Sequence, residues 1–407
     1  MKCRHCGAPL ALQFVDLGSA PPSNAYLTEK SLKKMEPWFP LRVLVCAECW
    51  LVQTEDYAGA EDIFREDYAY FSSYSKSWLD HSERYVSSVV ERFSLDKNSL
   101  FVELASNDGY LLQFVAARGI PCIGVEPTAS TAAAAKAKGL EVIQDFFGIR
   151  LAGKMAEKSR QADMVAANNV LAHVPDINDF VAGVSILLKA TGVATFEFPH
   201  IVNLVAQNQF DTIYHEHFSY LSLTAVVGIF EHNGLTVFDV EELPTHGGSL
   251  RVYAQPKNGP HERTKAVAEL LQREASIGIT SVSFYANFQG RAEKAKNHFL
   301  SFLLEARLRG KRVAGYGAAA KGNTFMNFAG IRPDLIPFVV DKNPAKQGNF
   351  LPGSRIPIVS ENLLREQRPD YIVIFPWNIA DEVMADLTYA RDWGARFVTA
   401  IPELRIR

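Results

Sequence analysis

The stretch Phe210–Ser222, FDTIYHEHFSYLS, sets Tyr214, His215, Glu216 and His217 side by side, with Tyr220 close behind. Imidazole, carboxyl and phenol groups are the side chains that move protons in enzymes. Three readings compete: metal ligation, polar trim on a loop, and an acid/base cluster. His215, Glu216 and His217 are adjacent and lack the i, i+4 helical pairing that brings two histidines to one ion, which weakens ligation. An acid/base cluster suits carbon chemistry. A neutral histidine can take a proton from a carbon beside a ketone. A tyrosine hydroxyl or protonated histidine can stabilise the enolate oxygen, and a neighbouring carboxylate can orient and charge-tune the histidine.

Four of the five cysteines form two CxxC pairs, Cys3 with Cys6 and Cys46 with Cys49. Two such pairs can offer four thiolates tetrahedrally to Zn2+, in a closed and therefore structural site. A redox dithiol or free surface thiols are the alternatives; a reducing compartment disfavours structural disulfides. Cys122 lies in an apolar strand and reads as core.

A third group of residues follows strand ends. Glu103 ends one predicted strand and leads a turn containing Ala105, Asn107 and Gly109, with a helix expected from near Asn107. Glu126 and Pro127 end the next strand, Asp145 follows the third, and Asn168 and Asn169 end the fourth, before His173. Ligands of open parallel sheets gather at the carboxyl ends of strands. Glu103 suits a cationic group such as an amino-acid ammonium, and Glu126 suits the two hydroxyls of a ribose. The turn lacks three spaced glycines. It resembles a degenerate E-x-G-x-G-x-G turn of class I methyltransferases, with Ala105 and Asn107 in place of glycines. That resemblance implies S-adenosylmethionine as cofactor, the methionine part near Asn168, Asn169 and His173, and the adenine amine near Asp145.

The elements that must hold these groups read as alternating strands and helices, hence an α/β chain with a parallel, doubly wound sheet. At 407 residues, several domains are expected. Residues 1–60 read as the zinc module and 61–257 as the sheet domain, ending in two strands around HGGS (His246–Ser249). Residues 258–310 read as a charged, solvated helical connector, and 311–407 as a second Rossmann-like domain. HGGS reads as an ordinary glycine turn, although it and Arg251 could meet a diphosphate. The net charge of −3 disfavours nucleic acid as partner. No apolar run approaches membrane-spanning length, and no apolar signal region is visible, so no membrane partner and a cytoplasmic location are expected.

The motifs CRHC…CAEC, DYAYFSSYS, ELASNDGYLL, GVEPT, YHEH and GYGAAAKGNT together resemble the sugar carbon-methyltransferases of deoxysugar biosynthesis. The resemblance spans essentially the whole chain. It implies a zinc-binding N-terminal module, a central class I domain and a Rossmann-like C-terminal domain holding the nucleotide sugar. It implies His217 as general base, assisted by Tyr214, Glu216 and a tyrosine of DYAYFSSYS; Tyr68 is preferred there, with Tyr70 and Tyr74 open. The implied substrate is a nucleotide-linked 4-keto-6-deoxyhexose, with dTDP the expected nucleotide, methylated beside the ketone. Tyr70, His215, Lys321 and Asn323 are its expected ligands, in a monomer or weak homodimer. GYGAAAKGNT also contains G-x-G-x-x-A (Gly315, Gly317, Ala320), and Asp341 ends the next strand. An NAD(P)-dependent reductase or epimerase is therefore the alternative. A third reading, an RNA or DNA methyltransferase with the zinc module as adaptor, is disfavoured by the modest charge and the absence of a basic aromatic strip.

Overall fold

The computed structural model describes residues 1–57 and 71–407. Tyr68 and Tyr70 lie outside the described residues. The chain begins with three strands, β1 (Leu12–Ala20), β2 (Phe39–Val45) and β3 (Val52–Thr54), between and around the CxxC pairs. A helix, Lys76–Arg92, follows; Ser75 caps its start by accepting from the Trp78 N–H, and Val86 and Val89 lie on its buried face.

Next come β4 (Phe101–Leu104), β5 (Cys122–Val125), β6 (Glu141–Ile143), β7 (Ala162–Asn168) and β8 (Leu188–Pro199). After β8 the chain makes the Tyr214–His217 turn and the two-residue β9 (Ser219–Tyr220). The hairpin β10 (Leu235–Leu243) and β11 (Ser249–Pro256) closes this part. The seven-stranded order is β10-β11-β8-β7-β4-β5-β6, with β4 to β8 parallel and β11 antiparallel to both neighbours. The antiparallel member thus sits one strand inside the edge. This is a class I methyltransferase sheet, Rossmann-like and α/β as expected. Its topological switch lies between β4 and β7, so the ends of those strands, Leu104–Ala105 and Asn168–Asn169, flank one crevice.

The C-terminal sheet contains β12 (Val313–Tyr316), β13 (Val339–Val340), β14 (Ile358–Val359), β15 (Tyr371–Ile374), β16 (Arg396–Thr399) and β17 (Arg405–Ile406), ordered β14-β13-β12-β15-β16-β17.

One expectation needs correction and two others are sharpened. The helix after β4 starts at Leu112, not near Asn107. Asn107 and Gly109 have φ of 49° and 76°, a left-handed region that a right-handed helix cannot include. Residues 258–310 are helical, as expected, but not solvated on every face. They make helices Lys265–Ser276, Val282–Tyr285 and Phe288–Leu308, whose Val267, Leu270, Phe288, Phe299 and Leu303 are buried. The cysteine-bearing sheet has the order β1-β2-β3-β9, so its fourth strand comes from just beyond the YHEH turn. No helix among the described residues is long and apolar enough to cross a membrane.

Candidate active site

His217 is held by two bonds. Its Nδ1 lies 2.8 Å from the Thr212 carbonyl, which can only accept, so Nδ1 carries the hydrogen. Its Nε2 then has the lone pair, and it accepts from the Tyr214 hydroxyl at 2.8 Å. The Tyr214 and His217 rings lie 4.0 Å apart, and the His173 ring meets His217 edge-on at 4.6 Å. His173 donates from Nδ1 to the Glu216 carbonyl at 2.8 Å. Burial, then the nearby His173, hold His217 well below the usual imidazole range; Lys321 and His246 act the same way. Burial lowers His173 to about 4. Both rings are neutral at neutral pH, which is the state a base needs.

Two expectations about this turn change. The group that orients His217 is the Thr212 carbonyl, not a neighbouring carboxylate. Glu216 turns to Asn24, whose Nδ2 donates to it at 2.6 Å. His215, expected among the substrate ligands, commits its Nε2 hydrogen to the Pro40 carbonyl at 3.2 Å and packs on Phe39, leaving Nδ1 buried and without a partner among the described residues. The three residues therefore address three different partners, which removes the metal reading of YHEH. Of the candidate tyrosines, Tyr74 is 65% exposed, with its ring against Phe71.

At the sheet crevice, Ala105, Asn107 and Gly109 all have positive φ, 56°, 49° and 76°. The two replaced glycines keep the backbone that glycine would adopt. At Gly109 a side chain would also strike Leu140. Glu103 is buried, and burial pushes its carboxyl well above the usual range; the Tyr110 hydroxyl faces it. Glu126 accepts from the N–H groups of Asn107 and Thr128 at 2.9 Å each, tying the second strand end to the turn. Pro127 follows it, half-buried, just before the helix Ala129–Ala137. Asn107 also accepts from the Ser72 N–H at 3.0 Å. Asn168 is buried and neither atom of its amide has a partner among the described residues; the same holds for Oδ1 of Asn169. Buried amides of this kind are aimed at a ligand or water. Asp145 is paired instead with Arg150, at 2.6 and 2.7 Å.

The four cysteine sulfurs lie within 4.8 Å of one another, with Cys3–Cys49 and Cys6–Cys46 each at 3.5 Å. Four thiolates on one zinc stand about 3.8 Å apart, the edge of a tetrahedron with bonds of about 2.3 Å, so this set fits the ion.

Comparison with known proteins follows this division. Residues 3–64 match a family model described as a zinc binding domain, 78–240 a methyltransferase domain, and 244–402 a C-methyltransferase C-terminal domain. The C-methyltransferase NovU of Streptomyces niveus is 37% identical over 405 residues, covering 100% of this chain and 96% of that protein.

The chain belongs to the C-methyltransferase family.

It is an S-adenosylmethionine-dependent methyltransferase. Solved structures with local likeness include the magnesium protoporphyrin IX methyltransferase of Synechocystis with bound SAH (15% identity, 43% of this chain, 82% of that chain, TM-score 0.35) and the PH0226 protein of Pyrococcus horikoshii (15%, 46%, 95%, TM-score 0.39).

Around these groups lie some that sequence reasoning missed, Asn24 and Asp211 among them, and some that it named. Asn24 reaches Glu216 from almost two hundred residues away. His246, at φ 54°, lies 3.3 Å from Asn169 Nδ2 and packs on Trp78. Asp211, pushed up to about 6 by burial, accepts from Trp377 Nε1 at 2.8 Å. Lys321 starts the helix Ala320–Ala329, lies over the Trp377 ring and donates to Asn378. Asn323, two residues on, is fully buried and both its amide atoms lack a partner among the described residues. Arg251 is buried and bonded to Glu197 at 2.9 Å and Glu241 at 3.2 Å. Only the HGGS turn hinted at His246 in the sequence; nothing local marked Asn24 or Asp211.

Proposed function

We propose that the protein methylates the carbon beside the ketone of a nucleotide-linked 4-keto-6-deoxy sugar, with His217 as general base. The observation that carries this is the Thr212–His217–Tyr214 chain, which fixes an unprotonated Nε2 beside a phenol. Nε2 takes the proton from carbon. The Tyr214 hydroxyl, released from that nitrogen, donates to the enolate oxygen. Bound S-adenosylmethionine supplies an electrophilic methyl. The positive-φ turn, Glu126 and the unpartnered Asn168 and Asn169 amides are the groups we assign to holding it. Lys321, at a helix N-terminus, and Asn323 are assigned to the nucleotide diphosphate. The cysteines are assigned to structural zinc. Tyr68 and Tyr70 keep their proposed places beside the substrate, although both lie outside the described residues.

The reductase or epimerase reading needs the Asp341 carboxylate for a ribose. That carboxylate is already engaged: its Oδ2 accepts from the Ala318 N–H at 2.9 Å, its Oδ1 from the Asn343 N–H at 2.8 Å, and Lys346 lies 3.4 Å away. Glu126 accepts from two N–H groups in the same way and a carboxylate has lone pairs to spare, so the labelling test below, not this engagement, separates the two readings.

The test is incubation with methyl-labelled S-adenosylmethionine and a panel of nucleotide 4-ketosugars. Label on the sugar carbon adjacent to the ketone is expected. No labelled sugar, together with oxidation of reduced nicotinamide, would favour the reductase.

A further inference from the structure

The segment Pro21–Leu27 leaves β1 and lies between the YHEH turn and the C-terminal sheet. Asn24 Nδ2 donates to Glu216 Oε2 at 2.6 Å. Ser23 Oγ stands 3.4 Å from Thr324 Oγ1. Tyr26 donates its hydroxyl to the Ala318 carbonyl at 2.7 Å, and Leu27 bridges to Phe350. A piece of the cysteine-bearing part thus touches the proposed catalytic turn on one side and the glycine turn of the C-terminal sheet on the other.

Glu216 is 2% exposed. Asn24 is the group bonded to its carboxyl; both the side-chain amide and the backbone N–H of Asn24 act on it. The other titratable groups around it are of two kinds. Tyr26 feels the Glu216 charge from the N-terminal segment. Behind it, Lys346 lies over the Tyr26 ring and pairs with Asp341. On the turn itself His215 and His217 have their own partners, and His173 bonds the Glu216 backbone carbonyl, not the carboxyl. Cations are therefore directed elsewhere, and a buried carboxylate whose donors come from one residue depends strongly on that residue.

We propose that Asn24, contributed by the N-terminal segment, is a positioning residue that fixes the orientation and charge state of the Glu216 carboxyl. The N-terminal part is then a wall of the active site and not only a stapled appendage. The catalytic consequence rests on the proposed function; the titration of Glu216 does not. Burial pushes this carboxyl up to about 7 while the Asn24 donors pull it down, so removing a donor raises it further.

The experiment is an infrared titration of the full-length protein, using Glu216→Gln to identify the protonated-carboxyl band. Asn24→Ala should move the midpoint of that band up by about one pH unit. Asn24→Asp, nearly equal in volume, should move it up at least as far, because a second carboxyl faces the first. Thermal melting in the same buffers identifies folded variants. A folded Asn24→Ala or Asn24→Asp protein with the wild-type midpoint overturns the proposal. In turnover assays the acid limb of kcat/KM should move up by the same amount. If wild-type protein methylates no ketosugar while the midpoint still moves, the functional reading has failed and the Asn24 assignment stands.

Discussion

A single hydrogen bond to a carbonyl decides which nitrogen of His217 can act. Because Thr212 can only accept, Nδ1 must donate and Nε2 faces Tyr214. Replacing His217 with Asn should lower kcat by about a hundredfold or more while calorimetric binding of S-adenosylmethionine persists. Tyr214→Phe should cost less, roughly tenfold to a hundredfold, because the proposed base remains and only the proposed enolate donor is lost. Wild-type kcat in His217→Asn would remove the base. The types of these residues were legible in YHEH. Their division of labour was not. Three adjacent side chains of a turn point in different directions, and only packing shows that His215 serves Pro40, Glu216 serves Asn24 and His217 serves Thr212.

Among the elements, two buried carboxylates join parts of the chain. Glu274, on the helix Lys265–Ser276, accepts from the Leu223 and Thr224 N–H groups at 2.8 and 2.7 Å, capping the helix Leu223–His232 from outside. It also bonds His200 at 2.7 Å. Glu274→Ala leaves those donors buried and should destabilise the protein by about 3 kcal/mol, read as a lower denaturant midpoint. Glu197, at the end of β8, would be raised by burial. The His81 hydrogen bond and the Arg251 charge outweigh that and hold it at about 2. A folded value below the unfolded one stabilises above the unfolded pKa and is lost as pH falls towards the folded one. Stability should therefore fall between about pH 4.3 and pH 2, by about 3 kcal/mol from this group. Arg251→Ala should flatten that dependence as well as lowering stability at neutral pH; an unchanged acid-unfolding curve would remove Glu197 as its source. The strands and helices around these groups could be read from alternating apolar runs. The start of the helix at Leu112 was only hinted at: Asn107 stands where the related turn has a glycine, and asparagine is among the residues that tolerate a positive φ.

For the whole molecule, β9 links the cysteine cluster to the YHEH turn. The Phe218 carbonyl accepts from the Thr54 N–H, and the His217 carbonyl accepts from the Thr54 hydroxyl, at 3.2 and 3.0 Å. Cys46→Ser, or removal of metal by a strong chelator, should speed amide exchange at Ser219 and Tyr220 as well as near the cysteines, and turnover should fall with it. Exchange confined to the first fifty residues would show an independent module. Lys321 tests the opposite face. Lys321→Ala should raise KM for the nucleotide sugar about tenfold or more, and more at low salt than at high salt, because a phosphate contact is screened.

The sequence by itself determined the α/β class, the four-cysteine set and the residue types of the candidate site. Each of these is a local pattern: a period, a spacing or a cluster of side chains within a few positions. Only the tertiary structure decided that Asn24 meets Glu216, that Asp341 is already engaged, and that β9 completes the N-terminal sheet. Those contacts join residues tens to hundreds of positions apart. They depend on how buried polar groups find partners once the sheets have packed, and no local pattern encodes that choice.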